Sequence, residues 1–255
     1  MSLPVENILG YPVLLGDTAA CIDDVLEWIH ESPPTGRCRW LACFNPHSYV
    51  MARDDVFFAD ALHASDWLIP DGAGIVLASR VLGGEVRDRV TGSDIFHELH
   101  ERMNQSGGCR VFFLGATEET LAEIRRRMAD QYPGVEVAGT YSPPFKPRFS
   151  DADNRTMIEA INAARPDVLW VGMSAPKQEK WLYKHRSELD VRFAAAVGAV
   201  FDFFTGRVKR SHPAFQRVGL EWLPRLLQEP RRLWRRMGVS APIFLWHVLR
   251  QNKKV

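Results

Sequence analysis

Two hydrophobic rhythms alternate along this chain. Six short runs are apolar at nearly every position: 38–44 (CRWLACF), 66–70 (DWLIP), 109–115 (CRVFFLG), 135–141 (VEVAGTY), 167–173 (DVLWVGM) and 192–198 (RFAAAVG). Between them lie longer segments whose apolar residues recur every three to four positions: 46–65 in two pieces, 73–83, 92–106, 117–132, 150–165 and 176–188. The first rhythm predicts strands buried on both faces, and the second predicts amphipathic helices. Strands without a polar face, separated by helices, belong to a parallel sheet covered on both sides. Ahead of this series, VENILGYPVLL (5–15) reads as a hairpin turning at Gly10, followed by a helix capped by Asp17 or Thr18. The predicted class is α/β: a Rossmann-like, mostly parallel sheet with helices on both faces, an N-terminal hairpin and a basic helical C-terminal appendage. Residues 1–210 are predicted to form the complete α/β unit and 211–255 the appendage.

Open parallel sheets bind ligands beyond the carboxyl ends of their strands. Asn45, Asp71, Gly115, the Gly172–Ala175 turn and Gly198 all fall at such ends. Asp71, in PDGAG, has two readings: the cap of the following helix, or a carboxylate held on the rim as a general base. PDGAG is a poor dinucleotide fingerprint, because Leu77 stands where a third glycine is needed. That disfavours an NAD-linked oxidoreductase.

Other clusters divide similarly. RDRVTGSD (87–94) sets Arg89 beside a helix start capped near Ser93, an arrangement suited to phosphate. MSAPKQEKW (173–181) puts Lys177 and Gln178 in a first helical turn, and FLGATEET (112–119) is a Gly–Ala turn that fits a diphosphate. HELHE (97–101) lacks the H-E-x-x-H spacing and reads as a solvated helix face. Asp151 and Asp153 have the spacing of a divalent-ion pair but open a helix behind Ser150, which favours capping.

Charge changes the picture only at the C-terminus. The net charge is +1, yet residues 217–255 hold nine Lys and Arg against two Glu, a net of +7. Trp222, Trp234 and Trp246 are interleaved with them, as in segments that lie on anionic membrane surfaces. The alternative is a helical contact between copies in a homo-oligomer. Nucleic acid is not an expected partner, since large aliphatics separate the basic residues. No apolar run reaches membrane-span length, and no signal peptide is read at the N-terminus. Cys21, Cys38, Cys43 and Cys109 read as reduced core thiols.

Taken in order, FNPHSYVMAR, DWLIPDGAGIVLASR, RVTGSDIF, FFLGATEET, PDVLWVGMSAPKQEKW, AAAVGAVFDFFTGRVKR and GLEWLPRLLQEPRRLWRR resemble the WecG/TagA/CpsF bacterial glycosyltransferase family over about residues 5–237. The resemblance implies transfer of a sugar, with inversion, from a UDP-sugar to a polyprenyl-diphosphate-linked glycan in surface-polysaccharide or cell-wall polymer synthesis. It implies no metal site and no cofactor. It places the base at Asp71, with Asn45, Arg89 and Gln178 at the matching motif positions. Cys43 stands where the family often has threonine. A transfer without metal needs cations or backbone N–H groups for the leaving diphosphate. Arg89, Lys177 and the turns at Gly115 and Gly172 are candidates, and Arg231, Arg232 and Arg235 are candidates to reach donor or acceptor phosphates. The expected location is peripheral, on the cytoplasmic face of the inner membrane. A non-catalytic nucleotide-sugar-binding subunit of a glycan assembly complex is the alternative.

Overall fold

The computed structural model describes residues 3–31, 38–208 and 235–252. Strands β1 (Val5–Ile8) and β2 (Tyr11–Leu14) form the antiparallel hairpin. Asn7 Oδ1 accepts from the Gly10 N–H at 2.9 Å across its turn. Helix α1 (Thr18–Glu31) follows, with Asp17 Oδ1 accepting from the Ala20 N–H. Then come β3 (Arg39–Phe44), α2 (Pro46–Asp54), α3 (Val56–His63), β4 (Trp67–Pro70) and α4 (Ala73–Val81). The next elements are α5 (Gly92–Ser106), β5 (Arg110–Gly115), α6 (Glu118–Gln131), β6 (Glu136–Tyr141) and α7 (Asp151–Ala164). The unit continues with β7 (Val168–Gly172), α8 (Lys177–His185), β8 (Phe193–Ala196) and α9 (Val200–Phe204). A short wide-turned helix over Arg235–Ser240 leads into α10 (Ala241–Asn252).

Six strands form one parallel sheet in the order β4-β3-β8-β7-β5-β6. Successive residues alternate between two cores, because side chains on a strand point to opposite faces. Trp40, Ala42 and Phe44 enter one core, and Leu41 enters the other. Leu169 and Val171 likewise oppose Val168 and Trp170. Both faces are therefore apolar, as the strand patterns predict. The chain runs outward from β3 to β4, crosses over, and runs outward from β5 to β6. It then returns to insert β7 and β8 between the two halves. That divergence opens a crevice at the carboxyl ends of the central strands.

Three local expectations are corrected. The cap of α5 is Thr91, not Ser93. Its side chain accepts from the Asp94 N–H, and the Asp94 carboxylate returns the bond to the Thr91 backbone. His100 is not solvated: it is fully buried, on the α5 face that carries Phe96, Leu99 and Met103. Its ring stacks on Tyr132 at 5.3 Å between centroids and lies tilted against Trp170 at 5.1 Å. Nδ1 lies 2.8 Å from the Phe96 carbonyl, and burial pushes the imidazole pKa down to about 3. Finally, the covering layer does not end by residue 210. Phe244 and Val248 of α10 are buried in the same core as the sheet, with α10 packed on α2 and α4.

Candidate active site

A cavity of about 700 Å³ lies over the carboxyl ends of β3, β4, β7 and β8. Its walls include Asn45, Asp71, Arg89, Gly172 and Gln178, so five of the sequence-derived residues share one site. Strand register brings the first two together. Phe44 pairs with Pro70, and the Asp71 N–H extends the ladder by donating to the Phe44 carbonyl at 2.8 Å. The residues next in line, Asn45 and Asp71, are therefore neighbours.

Asn45 caps α2, and this decides which way its amide faces. Oδ1 accepts from the N–H groups of His47 and Ser48, each at 3.0 Å. Ser48 Oγ accepts from the Asn45 N–H at 2.8 Å. With Oδ1 committed to the helix, Nδ2 donates to Asp71 Oδ2 at 3.2 Å. Asp71 itself does not cap α4, whose cap position is Gly72 and carries no side-chain bond. Gly74 has a packing reason: a Cβ there would stand 2.6 Å from Pro46 Cγ. The first turns of α2 and α4 thus meet beside the Asn45–Asp71 pair, where their partial positive charge favours anions.

The opposite wall is held by α8. Gln178 is buried, with Nε2 donating to Glu179 Oε1 at 2.9 Å and Oε1 accepting from the Gly198 N–H at 3.1 Å. A carboxylate only accepts and a backbone N–H only donates, so both ends of this amide are fixed. It clamps the β8–α9 turn to the start of α8. Cys43 lies in the floor, its thiol 3.8 Å from the Ala196 carbonyl. Burial, then the charges of Asp71 and Glu179, hold that thiol well above its ordinary pKa, so it is neutral.

Some expected residues point elsewhere. Lys177 Nζ donates to the Lys146 carbonyl at 2.7 Å and sits 3.7 Å above the Phe149 ring. Gly115 is not in the cavity wall; a Cβ there would meet the Gly172 carbonyl oxygen at 2.5 Å, so the glycine serves strand packing. Asp153 caps α7 reciprocally with Ser150 and pairs with Lys146 at 2.5 Å. Among the described residues, no three His, Cys, Asp or Glu side chains gather where they could hold a metal ion. Arg231 and Arg232 lie outside the described residues, as does the side chain of Arg235.

Sequence reasoning passed over Glu179, His47, Asp202 and Phe203, all in the cavity wall. Glu179 adjoins Gln178 and His47 lies two residues past Asn45, and that proximity is their only signal in the sequence. His47 Nδ1 lies 2.9 Å from Ser240 Oγ, which ties the cavity rim to the start of α10.

A family profile described as the Glycosyl transferase WecG/TagA/CpsF family matches residues 6–255. Among similar proteins is the N-acetylglucosaminyldiphosphoundecaprenol N-acetyl-beta-D-mannosaminyltransferase of Bacillus spizizenii, 35% identical over 209 residues, which is 82% of this chain and 78% of that one. Proteins of the same name from Bacillus subtilis and Staphylococcus aureus are 31% and 26% identical, over 84% and 83% of this chain and 80% of each relative.

Proposed function

The chain belongs to the WecG/TagA/CpsF glycosyltransferase family, and from that premise we propose that it transfers a hexosyl group from a UDP-sugar to a hydroxyl of a polyprenyl-diphosphate-linked glycan, with inversion. The names of the relatives point to N-acetylmannosamine as the sugar and to an N-acetylglucosaminyl diphospholipid as the acceptor. The observation that carries the reading is the Asn45–Asp71 pair on the cavity rim.

In this reading Asp71 accepts the proton of the acceptor hydroxyl. The freed oxygen attacks the anomeric carbon, and the bond from that carbon to the UDP oxygen breaks on the opposite face. Asn45 holds the carboxylate in place through Nδ2. Arg89 and the helix N-termini at the rim balance the charge that develops on the diphosphate, a role for preorganised donors in a site shielded from water. Gln178 shapes the pocket by clamping its far wall.

The acceptor's lipid explains a second feature. On α10, Phe244 and Val248 face the core while Leu245, Trp246 and Leu249 are exposed. A helix apolar on its outer face as well, with Arg250 stacked over Trp246, suits the surface of an anionic bilayer. No described helix is long and apolar enough to cross a membrane. In this reading the protein works at the membrane surface that presents the lipid-linked acceptor, on its cytoplasmic face.

The test is transfer by purified protein from UDP-N-acetylmannosamine to a short-chain polyprenyl-diphosphate N-acetylglucosamine, in excess EDTA, with the product's anomeric configuration read by NMR. Inverted product is expected. A retained configuration, a strict need for Mg²⁺ or Mn²⁺, or binding without turnover contradicts the proposal.

A further inference from the structure

The loop that carries Arg89 to the cavity runs from the end of α4 to the start of α5. It is fastened at two points. Near α5, the Val90 N–H donates to the Pro70 carbonyl at 3.0 Å, one residue from Asp71. Near α4, the fastening comes from far away in the sequence: the carboxylate of Glu6, on β1 of the N-terminal hairpin. Glu6 Oε2 accepts from Ser79 Oγ at 2.9 Å, from the Glu85 N–H at 2.7 Å and from the Val86 N–H at 3.0 Å. Ser79 is fully buried and its hydroxyl also accepts from the Val86 N–H at 3.0 Å. Gly84 makes room for the acid, since a Cβ at that position would lie 1.9 Å from Glu6 Oε1.

The two anchors sit on opposite sides of the sheet. Val86 is buried in one core and Val90 in the other. Residues 87–89 therefore bridge the carboxyl edge of the sheet between fixed ends. Arg87 and Asp88 are exposed on that bridge, and Arg89 is half-buried in the cavity wall. A bridge this short transmits the position of its ends to the residue it carries. Three hydrogen bonds converging on one carboxylate oxygen are charge-assisted and hold better than neutral ones.

We propose that Glu6 is a positioning residue for donor binding: the N-terminal hairpin sets the loop 84–90, and through it places the Arg89 guanidinium for the diphosphate. This rests on the reading of Arg89 given above. The hairpin then has a part in the reaction although neither of its strands joins the main sheet.

The test is UDP affinity by calorimetry on the full-length protein, combined with hydrogen exchange in the absence of ligand. Glu6→Ala removes the acceptor. Gly84→Ala displaces it without altering the acid. Both are expected to speed exchange at 85–90 while the sheet stays protected, and to weaken UDP binding by about tenfold, in the range of a lost positioning contact. Glu6→Gln is expected to recover part of both, because its amide oxygen can take the same bonds without the carboxylate's charge. In an Arg89→Ala background, Glu6→Ala is expected to add no further loss. An equal loss from Glu6→Ala in both backgrounds, or a loosened loop with unchanged UDP affinity, overturns the proposal. If Arg89→Ala alone leaves UDP affinity intact, the reading of Arg89 fails first and takes the hairpin's role with it; that outcome is distinct, because it shows in a variant with an intact hairpin.

Discussion

The hydrogen bond between Asn45 and Asp71 makes the chemistry of this rim adjustable one atom at a time. Asn45→Asp preserves an oxygen that can cap α2 but puts a second carboxylate about 3.2 Å from the first. Two acids so close do not ionise together readily, so the pair holds its proton to higher pH. The acid limb of the pH–rate profile is expected to move up by about a unit or more in that variant; an unmoved limb shows that Asp71 is not the group that titrates. His100 gives the residue scale a stability signature. Its folded pKa is depressed to about 3 by burial. At pH above about 6.5 the imidazole is neutral in both folded and unfolded chains, and its contribution is fully present. Below that pH only the unfolded chain takes up the proton, so stability falls progressively toward pH 3. Between about pH 6.5 and 4.5, before the carboxylates join, melting temperature is expected to drop in the parent and to drop less steeply in His100→Leu, where His247, also lowered by burial, still contributes. Parallel pH curves for the two proteins refute this assignment.

Among the elements, the strands and most helices were legible in the sequence because their signals are local. A run such as Val168–Gly172 is apolar on both faces, and only a sandwiched strand satisfies that pattern. The strand ends placed Asn45 and Asp71 on one rim, and the β3–β4 register of the structure makes them neighbours. What escaped depends on partners distant in sequence. Glu6 meets residues 73 to 80 positions downstream, and nothing in the hairpin's own pattern marks it. His100 shares a helix face with Phe96, but the polar residues around it hid that stripe. Lys177 follows a strand end like a phosphate ligand, yet its stem is long enough to turn back to the loop at Lys146. Helix α10 carries apolar residues on two sides, and sequence alone did not say which side faces the core. The structure separates them, which yields two opposite expectations. Phe244→Ala should cost about 3–5 kcal/mol of stability, as for a buried aromatic. Leu245→Ser with Trp246→Ser and Leu249→Ser should leave urea midpoints nearly unchanged but abolish cosedimentation with anionic vesicles. If the outer-face variant still sediments with them, α10 is not the membrane contact.

At the scale of the whole molecule, the parts converge on one crevice. The sheet's divergence between β3 and β5 opens it, α2 and α4 bring their N-termini to one side, and α8 clamps the other. The hairpin supports the loop that bears Arg89, and α10 is tied to the rim through His47 and Ser240. In the proposed reading these parts supply a base for the acceptor, cationic groups for the diphosphate and a surface that stays near the bilayer. In the proposed mechanism Asp71 removes the acceptor proton, and its amide variant isolates that step. Asp71→Asn keeps the shape of the side chain and a bond to Asn45. Single-turnover transfer in this variant should fall by roughly 10²–10⁴-fold, the range for loss of a general base, while UDP affinity stays within about threefold of the parent. Transfer at the parental rate in Asp71→Asn would contradict the account.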